Sequence, residues 1–268
     1  MSAISEKKQC SITPYPKGSY APIRTDQQSK ITFDNDYLIS IEPVKENESI
    51  YRRFLGHELV IEQILSISSK DYTISVIPIP PVTMPSKISE HVMLKLKIPL
   101  IIDSGGQLEK YTTMPIELAV IRKNDDSRLL PSVIDTFSVG NPKYTLYGEP
   151  DNGLIARFHQ IMLYDSLDRV PYSSNNFDQA KIKISITNRT ETPIKLNRIV
   201  LPASQMNFFY DDDNIVYLES LEMEIQSNLR ALISLLNLSP YSGARPVPSI
   251  SFQAEREKFE MKRGIFKA

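Results

Sequence analysis

Apolar and polar residues alternate along most of this chain with a period of two, the spacing that puts successive side chains on opposite faces of a β-strand. The alternation predicts strands over Tyr37 to Ile41, Tyr72 to Ile77 and His91 to Ile102, then over Leu108 to Thr113, Ile134 to Val139 and Tyr144 to Tyr147. Glu58 to Ser68 has mixed spacing, and its β-branched content favours strand over a short helix. Pro115 to Ile121 is apolar on both faces, as expected for a central strand, and Glu117 interrupts it. A carboxylate in that setting needs a partner, because burying an unpaired charge costs several kcal/mol. The second half predicts a long strand over Leu154 to Tyr164. It also predicts one hairpin from Ile182 to Leu201, turning at Asn188 to Thr192, and another from Met206 to Leu221, turning at Asp211 to Asn214. Arg230 to Leu238 is read as a last strand.

Prolines and polar runs punctuate this pattern. Pro78, Pro80, Pro81 and Pro85 remove backbone donors, so the segment following Ile77 cannot run through the middle of a sheet. Lys123 to Arg128 reads as a charged loop and Tyr241 to Pro248 as a linker. The fold predicted is all-β, with two β-sandwich-like units built from antiparallel hairpins and flexible polar tails at both ends. The divisions are an N-terminal arm over 1–30, a first β unit over 31–140, a second over 141–240 and a C-terminal tail over 241–268.

Composition narrows the chemistry. A formal charge of −1 supplies no general pull toward nucleic acid or anionic lipid, so no nucleic-acid partner is expected. The single cysteine, Cys10, can form neither an intramolecular disulfide nor a thiolate cage. No run nears the roughly 20 apolar residues of a membrane span, and the expectation is a soluble cytoplasmic protein. The three histidines, His57, His91 and His159, lack zinc-like spacing, and no metal or cofactor motif is present. Asp211-Asp212-Asp213 lacks the spaced pattern of a calcium loop and reads as a hairpin tip.

One stretch mixes turn chemistry with ionisable groups. Gly148 to Gly153 reverses the chain between two strands and carries Glu149 and Asp151, and Arg157 and His159 follow on one face of the next strand. With Glu117 and Tyr147 these residues form the candidate polar cluster, able to supply an acid, a base and an anion clamp or to serve as scaffold. The specific expectation is that Glu117 pairs with Arg157.

In their order along the chain, Pro115-Ile116-Glu117, Ile134 to Ser138, Lys143 to Gly148, Gly153 to His159, Arg198 to Pro202 and Tyr210 resemble an archaeal family known only as a domain of unknown function, number four-three-two. The resemblance spans Ile31 to Leu238 and implies a soluble β-rich protein of archaeal source. It supplies no activity and no catalytic residues. The leading reading is therefore a non-catalytic binding or assembly module, acting through loops and edge strands on a protein partner. The alternatives are a hydrolase or lyase with a site near the Tyr147 to His159 turn, and a carbohydrate-binding module, although the chain has no Trp for sugar stacking.

Overall fold

Alternation becomes strand almost wherever it was read. The computed structural model describes residues 20–23, 28–33, 36–66, 72–82, 89, 91–124, 131–148, 153–171, 177–228, 230–248 and 250. Four strands, β1 (Ser29–Phe33), β2 (Tyr37–Lys45), β3 (Glu48–Leu55) and β4 (Glu58–Ser66), form an antiparallel meander in chain order. After it come β5 (Tyr72–Ile79), β6 (His91–Ile102), β7 (Gln107–Pro115), β8 (Glu117–Asn124) and β9 (Ser132–Phe137). The second half contributes β10 (Tyr144–Tyr147), β11 (Leu154–Ile161), β12 (Gln179–Asn188), β13 (Ile194–Pro202), β14 (Phe208–Tyr210) and β15 (Val216–Leu218). Last are β16 (Leu221–Ser227), β17 (Arg230–Leu235) and β18 (Arg245–Pro246). Among the described residues the helical elements are two three-residue 3-10 turns, 167–169 and 203–205, and no helix is long and apolar enough to cross a membrane.

These strands make four sheets. Beside the meander stand a three-stranded sheet, β5-β8-β9, and a four-stranded sheet, β10-β11-β6-β13. The fourth has seven strands, β17-β16-β12-β15-β14-β18, with β7 also pairing β12. β5 ends its sheet, where Pro78 can sit without breaking a ladder on both sides. Not every pairing is the antiparallel one expected: β6 with β11, β12 with β15 and β12 with β16 run parallel.

Residues 182–201 depart furthest from expectation, because they form no hairpin. β12 lies against β7 while β13 lies against β6, so the turn carries the chain from one sheet into another. The turn at Asp103 to Gly106 carries β6 into β7 in the same way, and the two arches stack. Gly105 N–H donates to the Asn188 carbonyl at 3.0 Å, and Asn188 N–H donates to the Gly106 carbonyl at 2.9 Å. The Asn188 side chain, 0% exposed, donates to the carbonyls of Ile102, Asp103 and Thr192, each at 3.0 Å. A Cβ on Gly106 would meet the Asp103 carbonyl oxygen at 2.9 Å, so glycine is required there. Alternation serves an arch as well as a hairpin. In an arch the apolar faces of the strands meet across the core, here Ile182, Ile184 and Ile186 on one side and Ile199 and Leu201 on the other.

One apolar core draws on all four sheets and includes residues on both sides of position 140, among them Val92, Ile116, Phe137, Ile161 and Ile182. Backbone pairing crosses that position too, since β6 lies between β11 and β13 and β7 lies on β12. Part of the expected N-terminal arm is docked in the core. The ring of Tyr20 packs 5.3 Å from those of Phe177 and Tyr210, and Ile23 N–H donates to the Ile74 carbonyl at 2.7 Å. Part of the expected linker is strand, because β18 pairs β14. The tail beyond Ile250, residues 1–19 and the loop over 125–130 lie outside the described residues.

Candidate functional site

Glu117 opens β8, the central strand of its sheet, and its side chain is 0% exposed. Arg157 stands on β11 with 3% of its side chain exposed, opposite Tyr144 on one neighbour and Val92 on the other. The expected pair is present: Arg157 Nη1 donates to Glu117 Oε1 at 3.2 Å. The same nitrogen donates to Tyr144 Oη at 3.1 Å, Nη2 donates to Ser138 Oγ at 3.0 Å, and the guanidinium lies 5.5 Å from the Tyr144 ring centre. Ser138 Oγ in turn donates to the Gly140 carbonyl at 2.8 Å. A planar cation with several donors suits this use, because one side chain can serve three acceptors at once. These contacts tie β11 to β8 and to the segment after β9.

His159 follows Arg157 on the same face of β11 and is half-buried, its Nε2 3.4 Å from Thr113 Oγ1 on β7. Burial, reinforced by the positive charges of Arg157 and Lys97, lowers its pKa from 6.5 to about 4. At neutral pH the ring is therefore uncharged. Tyr147 faces the other way: it pairs with Leu154, while Tyr144, three positions earlier, pairs with Arg157. Its ring lies 5.4 Å beneath the guanidinium of Arg198. β10 and β13 are the outer strands of a four-stranded sheet, so this contact requires the sheet to curl. Of the six residues in the expected cluster, the fold joins Glu117 and Arg157, sets His159 beside them and turns Tyr147 away. Glu149 and Asp151 lie outside the described residues.

The family model for a protein of unknown function, DUF432, matches residues 18–267. The chain belongs to that family. The match reaches further into both ends than the resemblance over Ile31 to Leu238. No curated protein and no solved structure matches it.

This DUF432 chain holds two further buried carboxylates that sequence reasoning missed. Asp135 on β9 accepts from Tyr51 Oη and from Arg53 Nε, both at 2.7 Å, and the Arg53 guanidinium lies 5.3 Å from the Phe137 ring centre. The group ties β3 to β9, and burial first, then the Asp135 charge, pushes the Tyr51 hydroxyl pKa far up. Its signal was legible, since Asp135 interrupts an apolar run as Glu117 does. Glu219, 0% exposed, accepts from Asn207 N–H at 2.7 Å, from Asn207 Nδ2 at 3.1 Å and from Asn237 N–H at 2.5 Å. Nothing in its local sequence marks it, because its three donors come from two residues, Asn207 and Asn237, in other segments.

The tri-aspartate is a turn whose members have separate roles. Asp211 is buried and accepts from the backbone N–H groups of Asp213 and Ile215 at 3.0 and 2.9 Å and from Tyr217 Oη at 2.9 Å, while Asp212 reaches out to Arg245. Among the described residues no group of His, Cys, Asp and Glu is arranged to hold a metal. A cleft of about 170 Å³ lies between the end of β5 and the segments around Met206 and Val247. Pro78, Pro80 and Val247 line it together with Ser204, Gln205 and Asn207.

Proposed function

We propose that this DUF432 protein is a non-catalytic binding and assembly module, and that its free strand β4 pairs with the same strand of a second copy. The carrying observation is β4 itself. It is the outer strand of the meander, nine residues long, with Leu59 47%, Val60 44% and Ile64 71% exposed. A long outer strand offers a row of unpaired backbone donors and acceptors, and natural sheets usually blunt such an edge with lysine, proline or a short strand. β4 contains neither lysine nor proline, and its one irregularity, a bulge at Val60, leaves Ile61 to Ser66 in regular register with β3.

Charge disfavours one register and permits another. Antiparallel self-pairing centred on Glu62 would oppose two carboxylates, which is unfavourable. Pairing centred on Gln63 sets Ile61 against Leu65 and Ile64 against Glu62, whose carboxylate already accepts from Arg52 Nε at 2.6 Å. The burial of Glu117 against Arg157 also favours a non-catalytic role, because that carboxylate is enclosed by scaffold and held by a permanent cation.

Sedimentation equilibrium of the full chain tests the reading. A dimer is expected in the micromolar range, and Val60→Lys/Ile64→Lys is expected to sediment as a monomer with an unchanged far-ultraviolet spectrum. A monomeric wild type, or a dimer that persists in the variant, overturns it.

A further inference from the structure

The curled sheet β10-β11-β6-β13 contains no Asp or Glu in any of its four strands. Its outward face carries four exposed cations, Lys95 and Lys97 on β6 and Lys195 and Arg198 on β13. Among the described residues none of the four makes an ion pair. Arg198 and Lys95 stand opposite one another in register, an arrangement of like charges that destabilises a sheet unless something neutralises it.

Lysines on outer strands commonly protect a sheet from unwanted pairing, and Lys195 fits that role. Lys95 does not, because at that position β6 is bonded to Gln160 of β11 on one side and to Arg198 of β13 on the other. Two of the most exposed large apolar residues stand among these charges, Ile98 at 72% and Ile101 at 67%. Ile101 lies opposite Lys195. Ile98 belongs to an irregularity: the register passes from Leu196 opposite Leu100 to Arg198 opposite Lys95, so residues 96–99 of β6 stand against Asn197 alone. Such bulges re-aim side chains, and this one presents Lys97 and Ile98 outward.

We propose that this face docks an acidic polypeptide segment, whose carboxylates meet Lys95, Lys97, Lys195 and Arg198 and whose aliphatic side chains cover Ile98 and Ile101. The inference rests on the binding-module reading and adds the chemistry of a partner. Charge complementarity identifies the partner as anionic, and the two isoleucines select a polypeptide over a nucleic acid. Bases bind sheets by stacking on open aromatic rings, whereas the ring of Tyr147 on this face is covered by the Arg198 guanidinium.

Fluorescence anisotropy with the full chain tests this, using a labelled twelve-residue peptide of alternating glutamate and leucine. A lysine–leucine counterpart, a twelve-residue oligothymidylate and phosphatidylglycerol vesicles serve as competing probes. The glutamate–leucine peptide is expected to bind best, and to weaken about tenfold or more between 50 and 300 mM salt as exposed charges are screened. Lys95→Glu/Arg198→Glu should weaken it by a similar factor. Ile98→Ser should weaken it several-fold while leaving the salt dependence unchanged. Lys95→Gln separates recognition from scaffold, because relief of the like-charge pair should raise the melting temperature slightly while peptide affinity falls.

Equal binding of the two peptides, binding indifferent to these substitutions, or tighter binding of oligothymidylate or vesicles overturns the proposal. The monomeric Val60→Lys/Ile64→Lys protein should bind the peptide as the wild type does. Failure of the β4 dimer and failure of this surface are thereby read separately.

Discussion

Arg157 on β11 donates to Glu117 on β8 at 3.2 Å, with neither side chain more than 3% exposed, and this contact fastens the second half of the chain to the first. Tyr144 and Ser138 also accept from the guanidinium, so the pair is a junction of three segments.

Removing one member leaves a buried charge without its partner. Glu117→Gln and Arg157→Met should each destabilise the protein by about 3 to 5 kcal/mol in urea unfolding. The double variant should lose much less than the sum of the two. Small, additive losses would show that the contact contributes little.

The neutral state of His159 gives stability a defined pH dependence. Its folded pKa, about 4, lies below the unfolded value of 6.5, so the unfolded chain binds the extra proton first as pH falls. This contribution is fully present above pH 6.5 and is lost progressively down to about pH 4, amounting to about 3 kcal/mol on the scale of 1.4 kcal/mol per pKa unit. His159→Gln should remove that part of the profile while leaving the carboxylate-dependent loss at lower pH. An unchanged slope between pH 6.5 and 4 would place the titration elsewhere.

Asn188 holds the stacked arches by donating to three carbonyls. Asn188→Ala should cost about 2 to 3 kcal/mol, the order expected when buried acceptors lose their donor. Asn188→Asp should cost more, because a carboxylate would face those carbonyl oxygens with no proton to share. Equal losses in chemical denaturation would mean that space filling, rather than donation, fixes the corner.

The aspartate tip divides into a structural and a dispensable member. Asp211→Ala removes the acceptor for two backbone N–H groups and the Tyr217 hydroxyl and should cost about 2 to 3 kcal/mol. Asp212, with 93% of its side chain exposed and paired with Arg245, should cost less than about 1 kcal/mol as Asp212→Ala. Neither melting temperature should respond to Ca²⁺. A calcium-dependent shift abolished in either variant would point to a cation at the tip.

The sequence by itself determined where strands form and where a charge must find a partner. Alternation placed β2, β5, β6 and β11, the Asp211 to Asn214 hairpin was legible from its turn residues, and Glu117 declared its need by interrupting an apolar run. The periodicity of a strand is local, since it depends only on which face each residue presents. The partner of a strand is a long-range property, and only the tertiary structure decided it. The same alternation over 182–201 suits a hairpin or an arch, and the choice rests on Asn188 meeting carbonyls some 85 residues earlier in the chain. Tyr147 left the cluster by register, Arg53 met Asp135 across 82 positions, and Glu219 is held by backbone donors that no local pattern marks. Backbone N–H groups carry no residue identity, so the part of a carboxylate's coordination that they supply leaves no complementary residue to find in the sequence.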